Sequence, residues 1–325
     1  MSRFEEIFRT GEIPLYLAPM SGFTDIAFRE LCKEHGADVL VSEFVQSEPL
    51  IRGRERTWRD VDFTPGQRPM GIQIFGANPD SMARAAALLE NRLYPDFIDI
   101  NFGCPARKVV EQNAGSGLLK DLPLLEKVAR AVVSAVPATS VTAKMRLGWD
   151  SHAFVHIEAA KRLEGAGVRV LAVHGRTKAQ GYSGEADWEK IAEVVRAVQI
   201  PVVGNGDIRD AETALRRVRE TGVSGLMIGR GALGKPWLFS QIKNALSGNA
   251  ESGAETPTTE AVFSTLLRYA ETLAKTRGDA GTQNIRWLLA RLHPFTYGVV
   301  GGKRVRAELA SCTTLDDLRR LLEKN

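Results

Sequence analysis

Eight short apolar runs alternate with amphipathic stretches between Leu15 and about residue 246, and this repeat constrains the fold more than any other feature. The runs are typical of buried strands, and the stretches between them have the apolar spacing of helices. The strands are predicted at Leu15–Ala18, Asp38–Glu43, Met70–Phe75, Phe97–Asn101, Val141–Arg146, Val170–His174, Val202–Asn205 and Gly225–Ile228. Eight β-then-α units predict an α/β fold, a parallel (β/α)8 TIM barrel. An open doubly wound sheet is the alternative, but its G-x-G-x-x-G signature is missing after the first strand.

A different pattern follows Leu246. The stretch SGNAESGAETP is typical of a linker, and the apolar stripes beyond it predict helices over Thr259–Thr276, around Ile285–Leu292 and over Thr314–Glu323. The last of these begins with a T-x-x-D capping box. We therefore divide the chain into a barrel, 1–246, a linker, 247–257, and a small C-terminal all-α domain, 258–325. Within that domain, Gly301–Arg304 is expected to be a flexible basic loop.

The positive charge of the chain is concentrated in the predicted helical domain. The whole sequence carries +4, whereas the segment 277–306 alone carries +5. Its charged residues are Arg277, Asp279, Arg286, Arg291, Lys303, Arg304 and Arg306, and they are interleaved with Trp287, His293, Phe295 and Tyr297. Such a segment either binds a polyanion or forms an ordinary solvated face over an aromatic core. Trp287 and Arg291 are predicted to share one helix face.

Other classes of protein are excluded by what the sequence lacks. It has no stretch of about 18 apolar residues, and its N-terminus is too charged for a signal peptide. We therefore expect a cytoplasmic protein with no membrane partner. Three cysteines, Cys32, Cys104 and Cys312, form neither a disulfide framework nor a pair with zinc-ligand spacing. No metal site is expected.

Polar residues occur near the C-terminal ends of the predicted strands, where barrels have their active sites. Burying an unpaired charge costs several kcal/mol, so their presence on strand after strand favours a functional site over isolated core pairs. They are Gln73, Asn101, Lys144, Arg146, His174, Asn205 and Asp207. Glu43 is predicted to be either a member of the same ring or an ion-pair partner of a neighbouring cation.

Two glycine-rich turns follow the last two predicted strands. They are Gly204–Asp207 and Gly229–Gly231, the second of which contains Arg230. Either turn alone needs no explanation beyond backbone flexibility, but barrels commonly hold phosphate in the loops after strands 7 and 8. Their joint placement, with main-chain N–H groups and one arginine, predicts a phosphate site.

Cys104 differs from the other cysteines because it lies between Gly103 and Pro105 at the end of a strand. It also opens a loop that extends to Lys120, much longer than the usual two to six residues, and long loops at a barrel mouth are usually functional. A thiol in this position serves either as a proton donor or, with a lowered pKa, as a nucleophile. The sequence leaves both roles open.

These motifs, taken in order, resemble those of the tRNA-dihydrouridine synthases, most closely the bacterial B-type branch. The resemblance spans about 15–245 and rests on Leu17–Asp25, Asp99–Pro105, Lys144–Arg146, His174–Thr177, Asn205–Asp207 and Gly229–Gly231. The resemblance implies an FMN enzyme that reduces uridine in tRNA at its C5=C6 bond, with NADPH as the reductant. It also implies that the helical domain binds tRNA. We expect a monomer.

The resemblance also implies a role for each site residue. Hydride would pass from flavin N5 to C6 of the base, and Cys104 would deliver the proton to C5. The flavin would be bound by Pro19, Met20, Ser21, Gln73, Lys144, His174, Asn205, Gly206, Asp207, Gly229 and Arg230, with Lys144 at its N1/C2 edge and the last five at its phosphate. The uracil would be held by Asn101, Arg146 and Tyr182.

Two other functions remain to be distinguished. An FMN barrel that acts on a free pyrimidine, such as a dihydroorotate or dihydropyrimidine dehydrogenase, has no use for a basic helical domain. A non-catalytic RNA-binding protein has no use for the lysine and the cysteine and would be colourless when purified.

Overall fold

The computed structural model describes residues 4–249, 257–276, 278 and 283–324. Eight parallel strands close into a barrel, and this confirms the predicted fold class. With one additional short strand, β3, the strands are β1 Leu15–Leu17, β2 Val39–Val41, β3 Val45–Gln46, β4 Met70–Phe75, β5 Phe97–Phe102, β6 Ser140–Arg146, β7 Val170–His174, β8 Val202–Asn205 and β9 Gly225–Ile228. Around the barrel, β1 is followed by β2, β4, β5, β6, β7, β8 and β9, which pairs with β1 again.

The predicted strand Asp38–Glu43 is shorter than expected and is followed by a separate two-residue strand, β3, which pairs only with β4. The break lies at Glu43. Its carboxylate accepts a hydrogen bond from the main-chain N–H of Gly22, 2.6 Å away. Glu43 does not line the cavity described below, so it is not a member of the predicted ring. No cation of the described residues lies within 4.0 Å of its carboxylate, although burial raises its pKa and the charge of Arg291 lies near enough to oppose this in part.

Helices surround the barrel. They are α1 Ile26–Glu34, α2 Ser47–Ile51, α3 Glu55–Asp60, α4 Pro79–Leu93, α5 Arg107–Val110, α6 Leu122–Ala135, α7 His156–Gly165, α8 Trp188–Ala197, α9 Ala211–Thr221 and α10 Leu238–Leu246. Five of them begin at an Asp or Asn whose side chain accepts a main-chain N–H of the first turn, which stabilises the helix start. These caps are Asp25, Asn78, Asp121, Asp187 and Asp210. No described helix is both long and apolar enough to cross a lipid bilayer.

The barrel interior is apolar at one end and polar at the other. At the N-terminal end of the strands, Phe4 stacks on Phe97 with 4.2 Å between ring centroids, and Tyr16, Val39 and Val170 belong to the same cluster. A short 3-10 helix, Glu5–Arg9, is tied to this end because Glu5 pairs with Arg169. The polar side chains of the strands therefore face the opposite end.

The C-terminal region is helical. Its elements are α11 Thr259–Lys275, α12 Leu289–Leu292, α13 Gly302–Glu308 and α14 Leu315–Glu323, with 3-10 turns at Arg286–Leu288, His293–Thr296 and Leu309–Ser311. The predicted capping box at Thr314 and Asp317 is present. Tyr269 packs against Phe28 of α1, which joins the region to the barrel. Residues 250–256 of the predicted linker lie outside the described residues.

Gly301–Arg304 was expected to be a flexible loop, and this expectation is wrong. Gly301 adopts φ +74° as the N-cap, and α13 starts at Gly302. A Cβ on Gly302 would lie 2.1 Å from the Thr296 carbonyl oxygen, so the glycine allows close packing. The two glycines therefore start a helix against a neighbouring turn.

Gly234 is predicted to be essential to the contact between barrel and helical region. A Cβ there would lie 2.2 Å from the Pro294 carbonyl carbon, and Gly234 has φ +71°. Gly222 is a matched control because it has φ +66° and nothing within 4 Å of its Cβ position. We expect Gly222→Ala to lower the free energy of unfolding by about 1–2 kcal/mol, the cost of the left-handed conformation. Gly234→Ala should cost at least about 2 kcal/mol more. Equal reductions in urea denaturation would contradict the close contact.

Candidate active site

A cavity of about 620 Å³ opens at the C-terminal end of the barrel. Every residue that the sequence predicted for the site lines it. They are Pro19, Met20, Ser21, Gln73, Asn101, Cys104, Lys144, Arg146, His174, Tyr182, Asn205, Gly206, Asp207, Gly229 and Arg230. Its size and its mixture of apolar and polar groups are typical of a site for a small organic ligand.

A chain of hydrogen bonds forms the floor of the cavity. Thr142 Oγ1 and Gln73 Nε2 donate to the two oxygens of Asp99, each over 2.5 Å, and Asn101 Nδ2 donates to Gln73 Oε1 over 2.7 Å. Burial raises the pKa of Asp99 to about 6, against the opposing effects of these hydrogen bonds and the nearby Lys144. The order of donors and acceptors fixes the orientation of both amides.

Lys144 lies on β6 next to this floor, between Thr142 and Arg146. Burial and the charge of Arg146 lower its pKa to about 8, although Asp99 and Cys104 partly oppose this. Within the part of the chain that the structure describes, its ammonium has no hydrogen-bond partner and faces the cavity. A half-buried cation without a partner is costly, so this group is suited to an anionic ligand.

Cys104 is held at the rim by its main chain. Its N–H donates to Asn101 Oδ1 over 2.8 Å, and its carbonyl accepts from Ser116 Oγ over 2.9 Å. Burial raises the pKa of the thiol, and the hydrogen bond to the main chain of Ala106 and the cations Arg146 and Lys144 only partly offset this. The thiol is therefore protonated at neutral pH, which favours the proton donor over the nucleophile.

Arg146 and Tyr182 form another part of the rim. The guanidinium of Arg146 is buried and donates to the carbonyls of Gly103, Thr177 and Gly181, so it fixes the loops after β5 and β7 at once. Tyr182 is 58% exposed, and its ring lies 5.6 Å from Arg146 and 4.3 Å from Arg230. An exposed ring beside two guanidiniums offers a stacking surface for a planar group.

The carboxylate of Asp207 faces arginines rather than the open cavity. It accepts from Arg176 Nη2 over 2.6 Å and from the Ala186 N–H over 2.8 Å, and Arg230 Nη2 lies 3.3 Å away. Burial acts to raise its pKa, but these partners lower it overall. Asp207 therefore positions Arg230, and its own carboxylate would repel a phosphate.

Gly206 and Asn205 shape the main chain next to Asp207. Gly206 has φ +137°, and a Cβ there would lie 2.5 Å from Ala186 Cβ, so no larger residue fits. Asn205 Nδ2 donates to the Met227 carbonyl over 2.7 Å, which joins β8 to β9. The two glycine-rich turns predicted from the sequence thus lie side by side.

His174 is neutral at physiological pH. Burial, together with Lys144, Arg146, Arg176 and Arg230, lowers its pKa well below the usual value. Its Nε2 lies 3.4 Å from Arg176 Nη1, and because an arginine only donates, Nε2 is the acceptor and the proton is on Nδ1. Arg176 is a site residue that the sequence analysis missed. Its signal was a cation two residues beyond His174, in the turn that follows β7.

The basic C-terminal segment is only partly available to a polyanion. Arg291 Nε donates to the Gly22 carbonyl over 2.7 Å, and the side chain lies 3.5 Å from Asp25, which also accepts from the Tyr269 hydroxyl. Arg306 donates to Thr296, and Arg304 pairs with Glu308. Arg277 and Asp279 lie outside the described residues.

The aromatic residues of this segment divide between core and surface. Arg291 lies 5.7 Å from the Trp287 ring, which confirms the predicted shared face. Phe295 is buried, whereas Tyr297 is exposed and lies 4.3 Å from Arg306. The basic segment therefore combines barrel contacts with an exposed cation–aromatic pair.

Solved structures with a similar fold include histamine dehydrogenase from Rhizobium sp. 4-9, with a TM-score of 0.53 and 13% identity over 79% of this chain and 48% of that one. The structure of TcOYE with pHBA has a TM-score of 0.50 and 12% identity over 77% of this chain and 92% of that one. At these identities the likeness concerns the barrel fold alone.

Sequence comparison gives a closer relationship. The chain is 37% identical to a probable tRNA-dihydrouridine synthase of Mycobacterium tuberculosis H37Rv over 96% of this chain and 82% of the relative. It is 42% identical to tRNA-dihydrouridine synthase B of Pseudomonas putida KT2440, over 90% and 85% of the two chains. The family model described as "Dihydrouridine synthase (Dus)" matches residues 16–324. With a match over nearly its whole length, the chain belongs to the dihydrouridine synthase family.

Proposed function

We propose that the protein reduces the C5=C6 bond of specific uridines in tRNA, with FMN as its cofactor and NADPH as the reductant. One observation carries the proposal: the protonated thiol of Cys104 and the unpartnered ammonium of Lys144 line the same cavity. A proton donor beside a half-buried cation suits the reduction of a polarised double bond. The names of the curated relatives support tRNA as the substrate.

The residues of the cavity fit a flavin mononucleotide. Lys144 has no hydrogen-bond partner among the described residues and lines the cavity, as an anion-binding lysine must. Arg230 lines the same cavity and is held in place by Asp207. Gly206 and Gly229 bring main chain close to the cavity without a side chain. We assign Lys144 to the flavin ring and Arg230, Asn205, Gly206, Asp207 and Gly229 to its phosphate, with Asp207 acting through Arg230. Pro19, Met20, Ser21, Gln73 and His174 complete the cofactor site.

The remaining chemistry belongs to side chains of this chain. When bound, the flavin supplies the hydride for C6 of the base, and NADPH restores it. Cys104 donates its proton to C5, and its raised pKa keeps that proton in place until it is needed. Asn101 and Arg146 orient the uracil, and Tyr182 offers it a stacking surface once it has left the RNA stack.

The helical domain, 258–325, is part of the proposal. A small pyrimidine needs only the cavity, whereas RNA carries phosphates that require cations outside it. The exposed Arg286 and Lys303, with the Arg306–Tyr297 pair beside them in sequence, are among the described residues that suit this docking. Purified protein should therefore form dihydrouridine in tRNA transcripts but leave free uracil and orotate unreduced. Reduction of the free bases at comparable kcat/KM would instead assign the protein to the free-pyrimidine dehydrogenases.

Cys104→Ala should abolish dihydrouridine formation while flavin binding and flavin reduction by NADPH persist. Loss of a general acid lowers the rate by about 10²–10⁴-fold. The measurement is single-turnover reduction of tRNA by prereduced enzyme. Cys312→Ala, which removes a buried thiol of the helical region, should keep the wild-type rate. An unchanged rate in Cys104→Ala would remove the proton-donor role.

The charge of Lys144 should make flavin binding depend on pH. The pKa of Lys144 is about 8 in the unliganded protein, so its positive charge is present below that pH and is lost as pH rises through it. The affinity of the unliganded protein for flavin should therefore decline above about pH 8, even without tRNA. The decline should be absent from Lys144→Met, which is impaired at every pH, and shifted upward in Lys144→Arg. A wild-type profile in Lys144→Met would show that the assignment is wrong.

A further inference from the structure

A tryptophan at the barrel mouth, outside the cavity described above, is flanked by two lysines. Trp149 follows β6, and its loop is bound to the segment after β7 because Ala179 N–H donates to the Trp149 carbonyl over 2.8 Å. Lys120 Nζ lies 4.5 Å from the centroid of the indole, and Lys178 Nζ lies 4.4 Å from it. One indole ring is thus in contact with two ammonium groups, one from the loop after β5 and one from the loop after β7.

Neither lysine has a carboxylate partner within 4.0 Å among the described residues. Asp121, next to Lys120, caps α6, and Asp150, next to Trp149, accepts from the His152 N–H. Lys190 provides a contrast, because it lies over the Phe154 ring but also pairs with Glu193. The Trp149 cluster therefore keeps both of its positive charges available.

The spacing of the two ammonium groups favours an anion between or beside them. Both lie within 4.5 Å of the same ring centroid, so they are at most about 9 Å apart, close to one Debye length at physiological salt. The indole holds each of them by a cation–π contact, which limits how far they can separate. Their mutual repulsion falls when a negative charge binds to the cluster.

The cluster lies across the mouth from the helical domain. Around the barrel, β6 is four strands from β1 in either direction, so the two strands are opposite each other. The helical domain contacts the β1 side, through Arg291 on Gly22 and Tyr269 on Asp25. Trp149 follows β6. The cavity mouth therefore lies between the two.

We propose that Lys120, Lys178 and Trp149 form a second docking site for the phosphate backbone of RNA, opposite the helical domain. This inference rests on the proposed function and names how its substrate is held. RNA that is bound at both sides spans the mouth, and the uridine between the two contacts is brought to Cys104, Arg146 and Tyr182. The ligand is the phosphodiester chain rather than a base, since the lysines donate to phosphates without regard to sequence.

The test is the double substitution Lys120→Gln with Lys178→Gln in the full-length holoenzyme. We expect the KM for tRNA, and the Kd measured by fluorescence anisotropy, to rise roughly tenfold at physiological salt. The slope of log Kd against log salt should fall by about two, because two phosphate-binding cations are removed. Flavin content, kcat and the KM for NADPH should be unchanged, since neither lysine lines the cavity.

The matched control is Lys127→Gln with Lys161→Gln, which removes the same charge from exposed positions on the outer helices α6 and α7. Equal reductions of affinity in the two double variants would overturn the proposal, because total charge would then explain them. An unchanged slope, or a raised KM for NADPH instead of tRNA, would also overturn it. Trp149→Phe should keep most of the affinity for tRNA, because its ring can still hold the two lysines, whereas Trp149→Leu should lose affinity.

The test separates this inference from the proposed function. Wild-type protein that forms no dihydrouridine in any tRNA would contradict the function. Wild-type protein that forms it, with a Lys120→Gln and Lys178→Gln variant of normal RNA affinity, would contradict the second docking site alone.

Discussion

The closed barrel packs its inward side chains away from water, so a polar group there depends on hydrogen-bond partners inside the barrel. Asp99 accepts hydrogen bonds from Thr142 and Gln73, and Gln73 in turn accepts one from Asn101. The ammonium of Lys144 has no such hydrogen-bond partner among the described residues. Lys144 lines the cavity where this chain of hydrogen bonds stops, so a ligand there can supply the missing partner.

Much of this arrangement could be predicted because it depends on local pattern. Strands buried on both faces read as apolar runs, and each polar residue that interrupts a run near its end must face the barrel interior. This pattern identifies Gln73, Lys144 and His174. The glycine-rich turns are identified because phosphate sites on barrels recur at the same two loops.

What could not be predicted depends on contacts between residues distant in sequence. The strand that was predicted to reach Glu43 ends at Val41, and Glu43 instead binds the main chain of Gly22. Gly302 begins a helix that packs closely against Thr296. Net charge is a poor guide to exposure for the same reason. Arg291 contributes to the +5 of the basic segment, yet its guanidinium binds the main chain of the barrel.

The apolar plug at the far end of the barrel has a consequence for the order of events. With Phe4 and the Glu5–Arg9 turn closing that end, the mouth is the way in for any ligand of the described cavity. Under the proposed function, NADPH and the uridine both have to reach the same face of one bound ring. Each must then leave the entrance before the other arrives, so turnover should alternate between two half-reactions. An excess of either NADPH or tRNA should competitively inhibit the binding of the other.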